Sequence, residues 1–208
     1  MRILGLNPSS KFSPNVARDL LWGCWCKGKR IAGVQFPPLP LLYVATVLKE
    51  DGHDVEVLDA AGEGVSFDEV KRRIPDFDAV FLISATMSFN EDASMLLELK
   101  EANPRLKTID FGAHATFKPE EALDRPGVDV IVRHEAEFVM RDLVRGWEAG
   151  GDGWKKVPGI GYKENGKAVV NPPYPFIKNL DELPIPDRSF LPKNLEYYTE
   201  KWNEFLAA

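Results

Sequence analysis

The chain has 208 residues, 44% of them hydrophobic and 28% charged, which suits about one ordinary domain plus an appendage and supplies enough apolar material for a sizeable core. Its formal net charge of −6, with no basic tract and no aromatic-basic interleaving, argues against a nucleic-acid partner. No apolar run approaches the roughly 18 residues that cross a membrane, and the opening Met-Arg-Ile-Leu-Gly-Leu is too short for a secretory signal, so a cytoplasmic protein is expected.

Residues 2–6 predict a first strand, β1. The segment 7–35 that follows exceeds ordinary loop lengths and is expected to form a lid or docking surface above that strand's carboxyl end. Within it, Val16, Leu20, Leu21 and Trp22 are spaced for a short helix. It also carries both cysteines, Cys24 and Cys26, a C-x-C pair too close for an ordinary structural disulfide. The pair fits a reducing compartment and reads either as free thiols or as two of the ligands a metal site needs.

Pro37 and Pro38 lack an amide donor and fix φ, which suits entry into a first helical turn whose donors have no partner in any case. A helix therefore starts near Leu39, with Leu41, Leu42, Ala45, Val47 and Leu48 at helical spacing, and ends at Gly52. His53 reads as a solvated turn residue, and 55–58 predict β2, closing on Asp59. A helix over 66–74 has Ser66 as N-cap with Glu69 three residues on, a capping-box pattern, and stops at Pro75.

Residues 79–83 are a continuous apolar run of the kind buried on both faces of a parallel sheet, β3, ending on Ser84-Ala85-Thr86. Asn90 is expected to cap the next helix, whose apolar side is Ala93, Met95, Leu96, Leu97 and Leu99 and whose stop is Pro104. Residues 106–111 predict β4, Gly112-Ala113-His114 a small-residue turn, 119–123 a short helix, 128–132 β5 and 137–147 a last helix. Strands alternating with helices predict an α/β, doubly wound parallel sheet of order 2-1-3-4-5, Rossmann-like in layering and flavodoxin-like in order.

After Gly150-Gly151 the character changes. Residues 159–163 and 167–171 flank Glu164-Asn165-Gly166, a strong hairpin signal. From Pro172 onward six prolines predict an extended tail that wraps the domain or links it to another. The expected division is 1–150 for the binding domain and 151–208 for a hairpin and linker.

An open α/β sheet binds ligands beyond the carboxyl ends of its strands, where strand order reverses. Here that point lies between β1 and β3, faced by 7–38, 84–89 and 112–116, which together describe a roomy, mostly neutral pocket. No G-x-G-x-x-G follows β1 and no G-x-x-x-x-G-K-S/T occurs, so neither dinucleotide nor nucleoside triphosphate has its phosphate cradle. A receiver domain needs acids where Asn7-Pro8 and Ser84-Ala85 stand, and a flavin module needs a hydroxyl-rich loop after β1.

The blocks PPLPLLYVATVLKEDGHDVEVLDA, AVFLISATMSFNEDA, FGAHATFKPEEAL, VDVIVRHEAEF and GIGYKENGKAVVNPPYPFIKNLDELPIPDRSFL resemble, in this order, the N-terminal cobalamin-binding domain of cobalamin-dependent radical SAM enzymes, the anaerobic magnesium-protoporphyrin monomethyl ester cyclases and hopanoid-modifying enzymes among them. Methionine-synthase-type cobalamin domains carry D-x-H-x-x-G, S-x-L and G-G elements. Ser84-Ala85-Thr86 resembles the second and Phe111-Gly112 the third, while prolines and leucines stand where the histidine element belongs. The resemblance thus implies cobalamin bound without a lower histidine ligand.

It implies further that Pro38 and Leu39 wall the corrin, that Ser84 and Thr86 hydrogen-bond an amide or a benzimidazole nitrogen, that Met87, Ala113 and His114 line the site, and that Gly112 lets the ligand lie against the backbone. His114 reads equally as a structural turn residue, and a hydroxyl at a strand end equally as a helix cap. Gly112→Trp is expected to abolish binding with the fold intact. Relatives usually show V-R-G-E-G-E where this chain has Val132-Arg133-His134-Glu135-Ala136-Glu137, and His134 with Glu135 and Glu137 reads as a polar helix start.

No catalytic or metal-ligating residue is assigned within this chain. The C-x-x-x-C-x-x-C motif that holds the 4Fe–4S cluster of radical SAM chemistry does not occur, so the chain reads as a binding module whose iron-sulfur cluster, S-adenosyl-L-methionine and methyltransferase chemistry belong to a radical SAM domain outside it. The alternative is a docking domain that has lost the cofactor, with Leu39, Met87 or Phe89 filling the cavity.

Overall fold

A computed structural model describes residues 1–11, 16, 18, 36–191 and 198. The expectations for Leu20, Leu21, Trp22, Cys24 and Cys26 lie outside the described residues. Seven strands form one sheet, in the order β2-β1-β3-β4-β5-β6-β7. β1 (Arg2–Asn7), β2 (Asp54–Asp59), β3 (Ala79–Ile83), β4 (Lys107–Phe111) and β5 (Val130–Val132) are parallel, as their order in the sequence predicts.

Because side chains alternate across a strand, each central strand feeds two apolar layers. Ile3, Phe81, Ile83, Ile109 and Val132 pack with α1 (Leu39–Glu50) and α7 (Ala136–Ala149). Leu4, Leu6, Val80, Leu82 and Ile131 pack with α3 (Phe67–Arg73), α4 (Phe89–Ala102) and α6 (Pro119–Asp124), the side to which α2 (Ala60–Glu63) also contributes Ala60. Each fully buried Leu, Ile or Phe contributes roughly 1.5–3 kcal/mol, so the two layers carry most of the stability. Among the described residues no helix is long and apolar enough to cross a membrane.

Ser66 Oγ accepts the Glu69 amide at 3.2 Å, as the capping pattern predicts. Asn90 does not cap its helix: α4 begins one residue earlier, at Phe89, with Ser88 at the N-cap. The reason is local. Ser88 closes a turn on Ala85, whose amide donates to its Oγ and whose carbonyl accepts from it, each at 3.2 Å. The expected turn 112–114 shrinks to Gly112 alone, since φ 116° there swings the chain straight into α5 (Ala113–Phe117). His53 is buried rather than solvated, held with its ring nitrogens 3.5 Å from Asp51 and 3.4 Å from Glu148.

The hairpin β6 (Ile160–Glu164) and β7 (Lys167–Val170) does not stand apart. It continues the sheet, β6 running antiparallel to β5. Asn165 and Gly166 have φ of 51° and 76°, the left-handed pair that an Asn-Gly turn supplies. The tail beyond is extended and returns along α1: the Asp187 amide donates to Thr46 Oγ1 at 2.8 Å, Lys49 Nζ reaches Asp187 at 2.6 Å, and Leu191 and Tyr198 join the core on that face.

His134, at the carboxyl end of β5, takes φ 64° where the resembling motif has glycine, and its ring meets Phe176 edge to face at 5.9 Å. A β-branched residue tolerates that backbone poorly. His134→Val is expected to lower unfolding stability by about 1–2 kcal/mol and His134→Gly to leave it nearly unchanged, as urea midpoints will show. Equal losses would assign the position to the Phe176 contact instead.

Candidate functional site

The carboxyl ends of β1 and β3 flank the switch point, and the side chains there form an exposed group and a buried one. Leu39, at the first position of α1, is 46% exposed and Met87 56%; Thr86 is exposed beside Met87. Of the three residues expected to fill the cavity if the cofactor were lost, Leu39 and Met87 are thus exposed, whereas Phe89 is buried, at 1%. Pro38 is buried at the N-cap of α1, and its carbonyl accepts the Leu42 amide at 3.1 Å. Ala113 is half-buried, while Ser84, Gly112 and His114 are buried.

Gly112, just past the end of β4, lies close against β3. A Cβ built on it would lie 2.7 Å from the Ser84 carbonyl oxygen and 2.9 Å from Ile83 Cγ1. With a φ that L side chains avoid, this corrects the expectation for Gly112→Trp: any side chain at 112 must displace β3 or α5, so the fold does not survive it unchanged. His114 stacks on Phe89 with ring centroids 3.8 Å apart. Burial holds its imidazole below the ordinary histidine range, and among the described residues neither ring nitrogen has a hydrogen-bond partner.

Sequence reasoning missed the charged groups beneath this edge. Asp110, on β4, lies within 2.6 Å of Ser84 through Oδ1; its Oδ2 has no partner among the described residues. Burial raises its carboxyl well above the usual carboxylate range, with Asp92 nearby adding to the shift and Ser84 opposing it. Asp92, in the first turn of α4, receives Arg18 Nε at 2.8 Å, and Arg18 Nη1 donates to the Pro8 carbonyl at 2.8 Å. Burial raises the Asp92 carboxyl too, against the pull of Arg18. Next to it Glu91 accepts from the Ser10 hydroxyl at 2.7 Å and the Lys11 amide at 2.6 Å, so the chain leaving β1 is tied to the start of α4.

On the other side of the switch point, Asn7 and Asp59, paired in register at the ends of β1 and β2, meet at 2.6 Å. The Tyr198 hydroxyl donates to Asp59 at 2.8 Å. The one legible signal for the buried acids was Asp110 itself, an acid interrupting the apolar run of a central parallel strand. A cleft of about 410 Å³ lined by Phe77, Lys107 and Trp147 opens at the opposite, amino-terminal pole, away from the switch point. Among the described residues no cluster of three or more His, Cys, Asp or Glu side chains is placed to hold a metal.

Residues 30–144 match the family described as B12 binding domain. An uncharacterized methyltransferase of Pyrococcus horikoshii is 37% identical over 167 residues, which are 79% of this chain and 36% of that protein. The anaerobic magnesium-protoporphyrin IX monomethyl ester cyclase of Rubrivivax gelatinosus is 35% identical over 171 residues, again 79% of this chain but 30% of its own length. The chain thus spans about a third of these curated relatives. The cobalamin-dependent S-adenosylmethionine radical enzyme OxsB, solved with aqua-cobalamin and S-adenosylmethionine bound, shares the fold at TM-score 0.69 and 17% identity, over 96% of this chain and 25% of its own. The radical S-adenosylmethionine methyltransferase TsrM of Kitasatospora setae does so at TM-score 0.60 and 14% identity, over 82% and 30%.

The buried acids generate a pH dependence of stability. A carboxyl with a raised folded pKa binds its proton more tightly in the folded state, so stability is lost as pH rises from the unfolded value near about 4 toward the folded one, by about 1.4 kcal/mol per unit. Asp110→Asn removes this linkage. Its melting temperature relative to the parent is expected to climb as pH rises through that window; a difference constant with pH would place the Asp110 proton elsewhere.

Proposed function

This chain belongs to the B12 binding domain family, and from that membership we propose that it is the cobalamin-binding module of a radical SAM enzyme of methyl-transfer or related radical chemistry. In this reading residues 1–150 hold the cofactor, while 151–208, whose hairpin extends the sheet, lead toward the radical SAM domain of the same protein. That domain would carry the 4Fe–4S cluster and S-adenosylmethionine; this chain by itself is not catalytic.

The observation that carries the reading is the make-up of the switch-point edge. Large apolar side chains are exposed there, Leu39 at 46% and Met87 at 56%. They offer a wide, flat ligand an apolar support whose burial is favourable at about 25 cal/mol per Å². Beneath the same edge Gly112, buried against Ser84 and Ile83, closes β4 on β3. Bound there, cobalamin supplies a cobalt centre able to carry a methyl group. The chain's own residues would support the corrin through Leu39 and Met87, bond a polar group of the ligand through Thr86, and receive the nucleotide tail toward Ser84.

The reading includes cobalt without a lower histidine ligand. Of the three histidines, His53 sits with Asp51 and Glu148, far along the strands from this edge, and His114 is buried and stacked on Phe89. His134 is the exposed one at the carboxyl end.

The test is a visible-absorption titration of the purified chain with hydroxocobalamin and with cob(II)alamin, followed by gel filtration. Saturable, co-eluting colour whose cob(II)alamin spectrum shows no nitrogen ligand, unchanged in His134→Ala and in His114→Ala, is expected; a histidine-coordinated spectrum lost in either variant overturns the lower-ligand part. Leu39→Asp and Met87→Asp, both at exposed positions, should each weaken binding by tenfold or more, about 1.4 kcal/mol, without moving the melting temperature. Absence of binding by the full-length protein would favour a docking domain.

A further inference from the structure

Resting on the reading of this site as a cobalamin site, we propose that Asp110 is a positioning residue: it carries a proton that it donates to Ser84, and so turns the Ser84 hydroxyl to donate in its own right to the imine nitrogen of the cofactor's benzimidazole tail. The geometry is a single short contact, 2.6 Å between Ser84 Oγ and Asp110 Oδ1, on which the proton can sit at either oxygen. Both residues are essentially without exposed surface.

The surroundings decide which oxygen holds it. From β3 comes neutral Ser84, and from β5 the apolar Ile131, which is Asp110's register partner. From α4 comes Asp92, an acid, and from the segment after β1 comes Arg18, committed to Asp92 and to the Pro8 carbonyl. On α5 His114, whose proton affinity burial lowers, is stacked on Phe89, with Glu121 of α6 3.8 Å from its Nε2. An ionised Asp110 would set a second buried negative charge beside Asp92, with the Arg18 guanidinium, among the described residues, paired to Asp92 already. A proton on Oδ1 removes that charge and leaves Oδ2, which has no partner among the described residues, as a neutral carbonyl oxygen, cheaper to bury than a carboxylate.

The consequence for binding is one of hydrogen count. A serine hydroxyl has one hydrogen. Spent on a carboxylate, it leaves only lone pairs facing an imine nitrogen, which is itself an acceptor. With the carboxylic acid donating to Oγ, that hydrogen is free for the nitrogen. Binding of the tail is therefore linked to the Asp110 proton, and an Asn at 110, whose amide also donates, should substitute for it at every pH. Ser84 has no exposed surface, so the tail must open a path to it as it binds.

The experiment is the affinity of the purified chain for methylcobalamin and for methylcobinamide, which lacks the nucleotide tail, from about pH 5 to about pH 9, with Asp110→Asn separating the titration of this side chain from that of the benzimidazole nitrogen. Methylcobalamin affinity is expected to fall about tenfold per pH unit above the Asp110 titration, while methylcobinamide affinity stays flat. Asp110→Asn should flatten the methylcobalamin profile at its low-pH affinity, and Ser84→Ala should flatten it at a weaker one, giving a second variant if either folds poorly. A methylcobalamin profile that matches methylcobinamide, or that persists in Asp110→Asn, overturns the inference while leaving cobalamin binding in place. Failure of both ligands to bind at any pH removes the reading on which it rests.

Discussion

The close approach of β4 to β3 at Gly112 is the constraint on which the carboxyl edge depends. With no Cβ, residue 112 can sit at φ 116° against the Ser84 carbonyl, a position closed to residues that carry one. Three consequences follow from that one missing atom. The ends of β3 and β4 stay in register, the Ser84 amide donating to the Phe111 carbonyl at 2.9 Å. Ser84 and Asp110, one on each strand, come within hydrogen-bond distance. The chain turns at once into α5, which lays His114 on Phe89 at the start of α4. Backbone closure, buried polar pair and aromatic stack are thus one arrangement.

The charges buried beside that arrangement are poor stabilisers. Asp92 and the Arg18 guanidinium lose their hydration there, and a buried pair often does no better than apolar residues of the same volume. What the cluster provides is location. Arg18 belongs to the segment leaving β1 and Asp92 to the first turn of α4, so their contact fixes where that segment crosses the switch point, and Glu91 does the same for Ser10 and Lys11. Breaking one member leaves an uncompensated charge, costing about 3–5 kcal/mol. The edge is therefore held by terms that penalise any other placement, while the apolar layers on both sides of the sheet supply the stability.

How much of this could be read in advance follows from the range of each interaction. The five parallel strands and their order were legible because apolar runs such as 79–83 and 106–111 reflect burial on two faces, a property each strand carries in its own residues. The hairpin was legible from Asn165-Gly166, but its pairing with β5 was not, since nothing in a hairpin's sequence says which edge it will extend. Topology alone put Thr86 and Met87, in the segment after β3, at the open edge, while Leu39 was named for it only through the family resemblance. Nothing in the sequence sets Asp92 apart from an ordinary first-turn acid, and only packing against Arg18, 74 residues away in sequence, reveals it as buried. His53 failed for the same reason: what buries it are Asp51 and a residue of α7, Glu148.

The tail shows how a linker composition and a fixed position can be compatible. Ordering a chain costs about 1–2 kcal/mol per residue, and the extended stretch from 171 to 191 buries little apolar surface with which to offset that. Its contacts are sparse: Ile177 donates to Glu135 at 2.7 Å, Tyr174 to Asp142 at 2.7 Å, Asp187 engages Thr46 and Lys49, and Leu191 enters the core. Prolines at 172, 173, 175, 184 and 186 reduce the freedom the unfolded chain has to lose, so a few contacts suffice where a glycine-rich segment would need many. The prolines that mark the segment as unable to build a core are the reason it can be held along α1 at low cost, with Phe176 against His134 at the end of β5 and Tyr198 on Asp59 at the end of β2.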